Sequence, residues 1–300
     1  MLTVVLCDRI DKEALEALSD KFLLKDLSDN SKQEMLTKIG DADCVIVRSR
    51  TKVDAEFLNH APRLKLIGRA GVGLDNIDTE TAERRGIKIL NTPDAPTTSV
   101  AELVMGLMIN LMRGIGEGDR AIRRGAWLKN ELLGTEILGK TLGVIGYGRI
   151  GSQVGRLASC MGMRVIGWDI LGVKVVQPPA EYVEVDALLR EADVVSLHVP
   201  LTQQTKEFFN SEKIDKMKQN AFLINASRGE VLDENALYEA LVRKRIAGAA
   251  LDVFEKEPYT GPLASLENVI LTPHIGANTR EAQKRSALQL VELVTRHLLG

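Results

Sequence analysis

Short apolar runs rich in β-branched residues recur along this chain, and nearly every one is followed by a stretch spaced as an amphipathic helix. In the first third the runs are TVVLC, CVIVRS, KLIGRA and IKILN, with helical patterns between them in KEALEAL, DAEFLNH and DTETAERRG. Beyond residue 140 come TLGVIG, RVIGWD, DVVSLHV, AFLINAS and AGAALDV, again separated by helical segments such as ENALYEALVRK. A run that stays apolar without alternating makes a strand buried on both faces, and a crossover helix returns the chain to pair in parallel. Two such series predict an α/β chain with two doubly wound parallel-sheet domains. A length of 300 residues holds two domains of ordinary size.

Composition bears on function more than on fold. Apolar residues make up 45% and charged residues 27%, the proportions of a globular chain with a real core. With 39 basic and 41 acidic side chains the net charge is −2, which gives no electrostatic case for nucleic acid or an anionic membrane as partner. The N-terminal run meets Asp8 too early for a signal peptide, and VAELVMGLMINLM, interrupted by Glu102 and Asn110, is too short to span a bilayer. Cys7, Cys44 and Cys160 lie far apart beside apolar residues, so they read as small buried side chains, not as a disulfide or metal set. These features predict a cytoplasmic protein without a metal.

Between the two series lies TTSVAELVMGLMINLMRGIGEGDRAIRRGAWLK. Thr and Ser open it as capping candidates, and the residues that follow are apolar nearly all round. Such a helix is either buried in its own domain or pressed against a second copy of the chain, and the second case predicts a homodimer. A last helical pattern, TREAQKRSALQLVELVTRHLLG, closes the sequence.

TLGVIGYGRIG is the sharpest single motif. Gly146, Gly148 and Gly151 form G-x-G-x-x-G directly after a strand and open the helix RIGSQVGRLASCM. The first glycine allows a tight turn, the second lets backbone approach a pyrophosphate, and the third allows close helix–strand packing. The following strand, RVIGWD, ends at Asp169, where a carboxylate can accept both ribose hydroxyls and would repel a 2′-phosphate. The cofactor implied is NAD rather than NADP; the alternative for Asp169 is a solvated loop acid.

A nicotinamide needs a partner that moves a proton as hydride moves, and histidine titrates in the right range. The chain has four. His60 and His297 fall on helical surface positions. His198 ends the strand DVVSLHV, where it either lines the cofactor cleft or is simply packed. His274, in LTPHIGAN, also follows a strand end, as does Glu257 beyond AGAALDV. A carboxylate beside an imidazole would orient the ring. Arg228, in LINASRGEVLDENAL, follows a third strand and could hold a carboxylate through two parallel hydrogen bonds. On spacing alone, any one of these three could be an ordinary loop residue.

The motifs GKTLGVIGYGRIG with GWD, NASRGEVLDENAL, ALDVFEKEP and LTPHIGANT, in this order along essentially the whole chain, resemble the D-isomer-specific 2-hydroxyacid dehydrogenase family. The resemblance implies a Rossmann NAD-binding domain, residues 96–283, inserted into a flavodoxin-like substrate-binding domain, residues 1–95 and 284–300, with a dimerisation helix near 99–125. It implies that Arg228 binds the substrate carboxylate and carbonyl, that His274 is the acid/base and that Glu257 pairs with it. Further cofactor contacts carried across are Val72, Arg149, Ile150, Val199, Ala226, Ser227, Asp252, Gly276 and Ala277, together with His198, Arg228 and His274. Relatives often have threonine at position 199, so a hydroxyl contact would be missing here.

VRSRT at 47–51 and GRAGVGLDNID at 68–78 resemble the branch of the family that acts on a phosphorylated 2-hydroxy acid. That likeness implies Arg48, Ser49 and Arg50 near a phosphate, Gly71, Val72 and Gly73 offering N–H groups to the substrate carboxylate, and Asn91 beside them. A further cation from a partner subunit would be Arg123, Arg124 or Lys129. The alternative for Arg48 and Arg50 is a solvated strand edge. Members of that branch often carry a C-terminal regulatory domain, so this sequence is either a short form without it or part of a longer chain. Two other readings stay open: a reductase of unphosphorylated 2-oxo acids such as glyoxylate or hydroxypyruvate, and an NAD-sensing corepressor that keeps the same triad. The absence of a basic cluster and of a long disordered tail favours the enzyme.

Overall fold

The computed structural model describes residues 1–300, which divide into two compact units: Met1–Pro96 with Ala277–Gly300, and Thr97–Gly276. The first unit begins with strands β1 (Thr3–Leu6), β2 (Leu23–Asp26), β3 (Cys44–Val47), β4 (Leu66–Arg69) and β5 (Lys88–Asn91). They pair in parallel in the order β2-β1-β3-β4-β5, the flavodoxin-like arrangement. Helices α1 (Lys12–Ser19), α2 (Lys32–Lys38), α3 (Ala55–Asn59) and α4 (Thr79–Arg84) connect them. Aspartates at positions 11, 54 and 78 and a capping box of Ser31 with Glu34 start these helices. Strand alternation sends Val4 and Leu6 to one core and Val5 and Cys7 to the other, so both faces of the sheet are buried.

Strand β2 carries no clear signal in the sequence, whereas helix α2 is marked only by the S-x-x-E start at Ser31 and Glu34. β2, of sequence LLKD, is an edge strand with Leu23 half exposed, so it lacks the uninterrupted apolar run of its neighbours.

The second unit opens with α5 (Thr97–Arg113) and α6 (Ile115–Arg123). Then follow β6 (Thr141–Ile145), α7 (Arg149–Cys160), β7 (Arg164–Trp168), β8 (Glu181–Tyr182), α8 (Val185–Glu191) and β9 (Val194–Leu197). The unit finishes with α9 (Ser211–Ile214), β10 (Phe222–Asn225), α10 (Glu234–Val242), β11 (Gly248–Leu251) and β12 (Val269–Leu271). All seven strands are parallel, in the order β12-β11-β10-β9-β6-β7-β8, so the winding reverses between β6 and β9 and opens a crevice at their carboxyl ends.

The apolar helix buries one face in its own domain. Val100, Val104, Met105, Leu107, Met108 and Met112 of α5 are buried with the core of β6, β10 and β11. The expected dimerisation helix near 99–125 is therefore two helices, parted at Gly114 (φ 60°) and bent by 65°. After α5, exposed apolar side chains in this part of the chain are Ile115, Ile122, Trp127, Leu133 and Leu138. No single helix is long and apolar enough to cross a membrane.

The chain rejoins the first unit at Ala277. The division anticipated after residue 283 falls inside the final helix α11 (Arg280–Leu299), which cannot be split between units because Ala282, Ala287, Leu290 and Val294 bury one continuous face. Arg285 on this helix donates to Ala95 O from Nε at 3.1 Å and Nη2 at 3.0 Å.

Candidate active site

The glycine turn is built by steric exclusion. Gly146 has φ 90°, and a Cβ there would lie 2.7 Å from the carbonyl carbon of His198. A Cβ on Gly151 would lie 2.1 Å from Gly146 O, whereas one on Gly148 would meet nothing within 4 Å. Gly148 therefore faces open space at the start of α7, whose first N–H groups receive no side-chain cap; this is the place for a pyrophosphate. Arg149 and Ile150 begin that helix. Tyr147, in contrast, is buried, its ring accommodated by Gly155 and Gly167.

Asp169 lies beside the turn, as its spacing predicts. Its Oδ2 accepts from Tyr147 N at 2.9 Å and its Oδ1 from Leu171 N at 3.0 Å, so the carboxylate is oriented before any ligand arrives. His198, at the end of β9, has Nε2 2.8 Å from Ser196 Oγ and a buried Nδ1 with no partner in the protein. Burial pushes its pKa down to about 4, which keeps the ring neutral. The side chain of Val199 packs against Gly146. An open cradle at Gly148, an uncapped helix start and an orphaned ring nitrogen at one sheet edge fit a dinucleotide.

Beyond β10, Asn225 organises the loop that bears Arg228. Its Oδ1 accepts from Ser227 N and Oγ, and its Nδ2 donates to Arg228 O at 2.9 Å. Ala226 lies between them. Gly229 packs so closely on the next loop that a Cβ would lie 1.9 Å from the carbonyl carbon of Phe254, which sets the Arg228 segment against the loop leading to Glu257. Glu257 Oε1 accepts from Phe254 N at 3.2 Å. His274 Nδ1 stands 3.0 Å from Glu257 Oε2. His274 has φ 53°, a left-handed conformation that costs a residue with a Cβ roughly 1–2 kcal/mol.

The first-unit candidates form a separate group. Asp8, nearly fully buried, accepts from Arg48 N at 2.5 Å, Arg50 Nε at 3.0 Å and Thr51 Oγ1 at 2.8 Å. Arg50 Nη2 also donates to Cys7 O. The two arginines are thus unequal: Arg50 is tied into the fold, while the guanidinium of Arg48 makes one long contact, 3.5 Å to Arg9 O. Ser49 stands exposed between them, in a cleft shared with Asp8, Arg9, Ser28 and Asp29.

One expectation in this unit needs correction. The N–H of Gly71, assigned to the substrate, is taken by Thr92 Oγ1 at 2.8 Å, which leaves Val72 and Gly73. Asn91 Nδ2 donates to Val72 O at 2.7 Å, so it braces this loop. The guanidinium of Arg69 lies against Gly71, whose φ of 144° only glycine adopts easily. Val72 and Ala277 belong to this unit, and Gly276 to the other.

Arg123 and Arg124, proposed as cations for a neighbouring subunit, are paired on their own helix with Asp119 and Glu117. Sequence patterning does not single out Asp8, Asn225 or Thr272, although each holds part of the site. Each is a short polar residue at or beyond a strand's carboxyl end, a position that was the available signal.

A parallel sheet that reverses its winding beside an uncapped glycine turn, with a carboxylate-paired histidine beyond its strands, defines an NAD-dependent dehydrogenase. The family comparison makes this specific: residues 105–276 match the model of the D-isomer specific 2-hydroxyacid dehydrogenase, NAD binding domain. The chain belongs to that family. It is 46% identical to a hydroxypyruvate reductase of Thermotoga maritima over 97% of this chain and 96% of that one. It is 44% identical to a D-3-phosphoglycerate dehydrogenase of Methanocaldococcus jannaschii over 100% of this chain, but it spans only 58% of that protein's length. Among solved structures, the TT0316 protein of Thermus thermophilus shares 36% identity at TM-score 0.88, covering 97% of this chain and 95% of that one. A D-lactate dehydrogenase of Aquifex aeolicus complexed with NAD and lactic acid shares 32% identity at TM-score 0.84, covering 99% and 96%.

Proposed function

We propose that this dehydrogenase oxidises 3-phospho-D-glycerate to 3-phosphooxypyruvate, the reaction that opens serine biosynthesis. Oxidising a secondary alcohol removes a hydride from carbon and a proton from oxygen. Bound NAD supplies the hydride acceptor. The proton is the task of His274, and its contact with Glu257 is the observation that carries this reading. A ring nitrogen facing a carboxylate holds its proton there, so the neutral imidazole keeps its lone pair on Nε2. Nε2 takes the hydroxyl proton in oxidation and returns it in reduction. Arg228 holds the substrate carboxylate, and Glu257 stabilises the imidazolium that forms.

The choice of a phosphorylated substrate rests on the first-unit cleft. Three arginines and two aspartates line it, which leaves a net positive charge centred on Arg48. The second reading, a hydroxypyruvate or glyoxylate reductase, is supported by the engagement of Arg50 with Asp8 and of Arg9 with Asp29. It is also supported by the full-length likeness to a hydroxypyruvate reductase. The exposed apolar residues between Ile115 and Leu138 are the surface we assign to a second subunit.

Catalytic efficiency with 3-phosphoglycerate, glycerate, hydroxypyruvate and glyoxylate separates the two readings. Arg48→Ala should raise KM for phosphoglycerate by roughly 10- to 100-fold, the worth of one charge-assisted hydrogen bond, and leave glycerate unaffected. A wild-type preference for the unphosphorylated acids would replace the first reading with the second.

A further inference from the structure

We propose that Thr272 is a positioning residue that holds His274 in its left-handed conformation by tying the turn to Asp252; this rests on reading His274 as the acid/base. His274 has φ 53°, a backbone state that a residue with a Cβ keeps only when its surroundings enforce it. The enforcing groups are buried. Asp252, 1% exposed at the end of β11, accepts from Thr272 Oγ1 at 2.6 Å and Ile275 N at 2.9 Å through Oδ1. Its Oδ2 accepts from Gly276 N at 2.8 Å. On the other flank Ser99 Oγ donates to Gly276 O at 2.7 Å. Within the turn His274 N donates to Thr272 O at 3.0 Å.

One carboxylate therefore gathers the residues on both sides of His274 while leaving the imidazole itself half exposed. The clamp also fixes the ring relative to its partner. Asp252 starts the loop that carries Glu257, so Thr272 joins the histidine turn to the glutamate loop by a hydrogen bond between side chains. Gly276 completes the fit, since a Cβ there would lie 3.1 Å from Asp252 Oδ2 and 3.3 Å from Val100. Without the Thr272 hydroxyl the left-handed residue loses one of its ties, and Nε2 no longer keeps a single direction. Misplacement of a reacting group by about 1 Å is enough to cost up to 10²-fold in rate.

The test compares wild type with Thr272→Val, which keeps the shape and loses the hydroxyl, and Thr272→Ser, which keeps the hydroxyl. Turnover is measured with 3-phospho-D-glycerate and NAD, or with hydroxypyruvate and NADH if that is the better substrate; NADH affinity is read from its fluorescence. Thr272→Val should lose on the order of tenfold in kcat with NADH affinity within about twofold, and Thr272→Ser should stay near wild type in both. Equal losses in the two variants would assign the effect to methyl packing, and wild-type kcat in Thr272→Val would remove the clamp. If Thr272→Val fails to fold, Ser99→Ala tests the other flank, with the same split between kcat and NADH affinity required. His274→Ala, assayed alongside, keeps the two ideas apart. Normal turnover there overturns the acid/base reading itself, whereas an inactive His274→Ala beside a normal Thr272→Val overturns only the clamp.

Discussion

His274 Nδ1 sits 3.0 Å from Oε2 and 3.1 Å from Oε1 of Glu257, so the imidazole faces both oxygens of one carboxylate. The side chains are 49% and 39% exposed, and an ion pair so open to water contributes little to stability. The proposed acid/base role of His274 rests on its geometry. His274→Ala should lower kcat by on the order of 10²–10⁴ while the melting temperature stays close to wild type. Glu257→Gln should cause a smaller loss. Steady-state kinetics with parallel melting curves check both, and unimpaired turnover in His274→Ala would end the assignment.

Asp169 already accepts two backbone N–H groups, from Tyr147 and Leu171, so its charge is fixed where an adenosine ribose would lie. The wild type should strongly prefer NAD to NADP. Asp169→Ala should narrow that ratio by on the order of 10- to 100-fold, the loss of a hydrogen bond to a charged group together with relief of repulsion. Equal efficiency of the wild type with both cofactors would refute this role.

Leu133 is 94% exposed and Trp127 is 77% exposed, an unusual display of large apolar side chains on a lone chain. The wild type should sediment as a dimer at micromolar concentration. Leu133→Asp and Trp127→Asp should shift it toward monomer, since each would bury an unpaired charge at the interface. A wild-type monomer with full activity would contradict the surface assignment.

His198 makes stability depend on pH in a defined window. Its folded pKa of about 4 lies below the ordinary 6.5 because burial disfavours the charged ring. Between those values the unfolded chain binds a proton that the folded chain refuses. The stability is therefore fully present above pH 6.5 and declines as pH falls toward 4, by at most about 3 kcal/mol. Urea unfolding at pH 7 and pH 5 should show a larger loss for wild type than for His198→Asn. Equal losses would mean that the ring takes up its proton in the folded state.

Much of this protein could be read from its residues in order. Uninterrupted apolar runs such as CVIV and TLGVI specify strands buried on both faces wherever they occur, and helices between such strands leave parallel pairing as the workable outcome. The glycines at 146, 148 and 151 act on their own turn, and Asp169 is one strand away, so local chemistry was enough to find them.

Other features depended on contacts between distant segments. An edge strand such as β2 needs one neighbour and little apolar character, so LLKD left no pattern to detect. The apolar residues of α5 satisfy either a core or an interface equally well, and only the sheet beneath them decided for the core. Arg48 and Arg50 look equivalent in VRSRT, yet buried Asp8, about forty residues earlier, engages the side chain of one and only the backbone of the other. Thr272 shows only its place after an apolar run, because its partner, Asp252, comes from another strand. Patterns with the period of a helix or strand are properties of the chain, but which donor meets which acceptor is set by the packing that brings strand ends together.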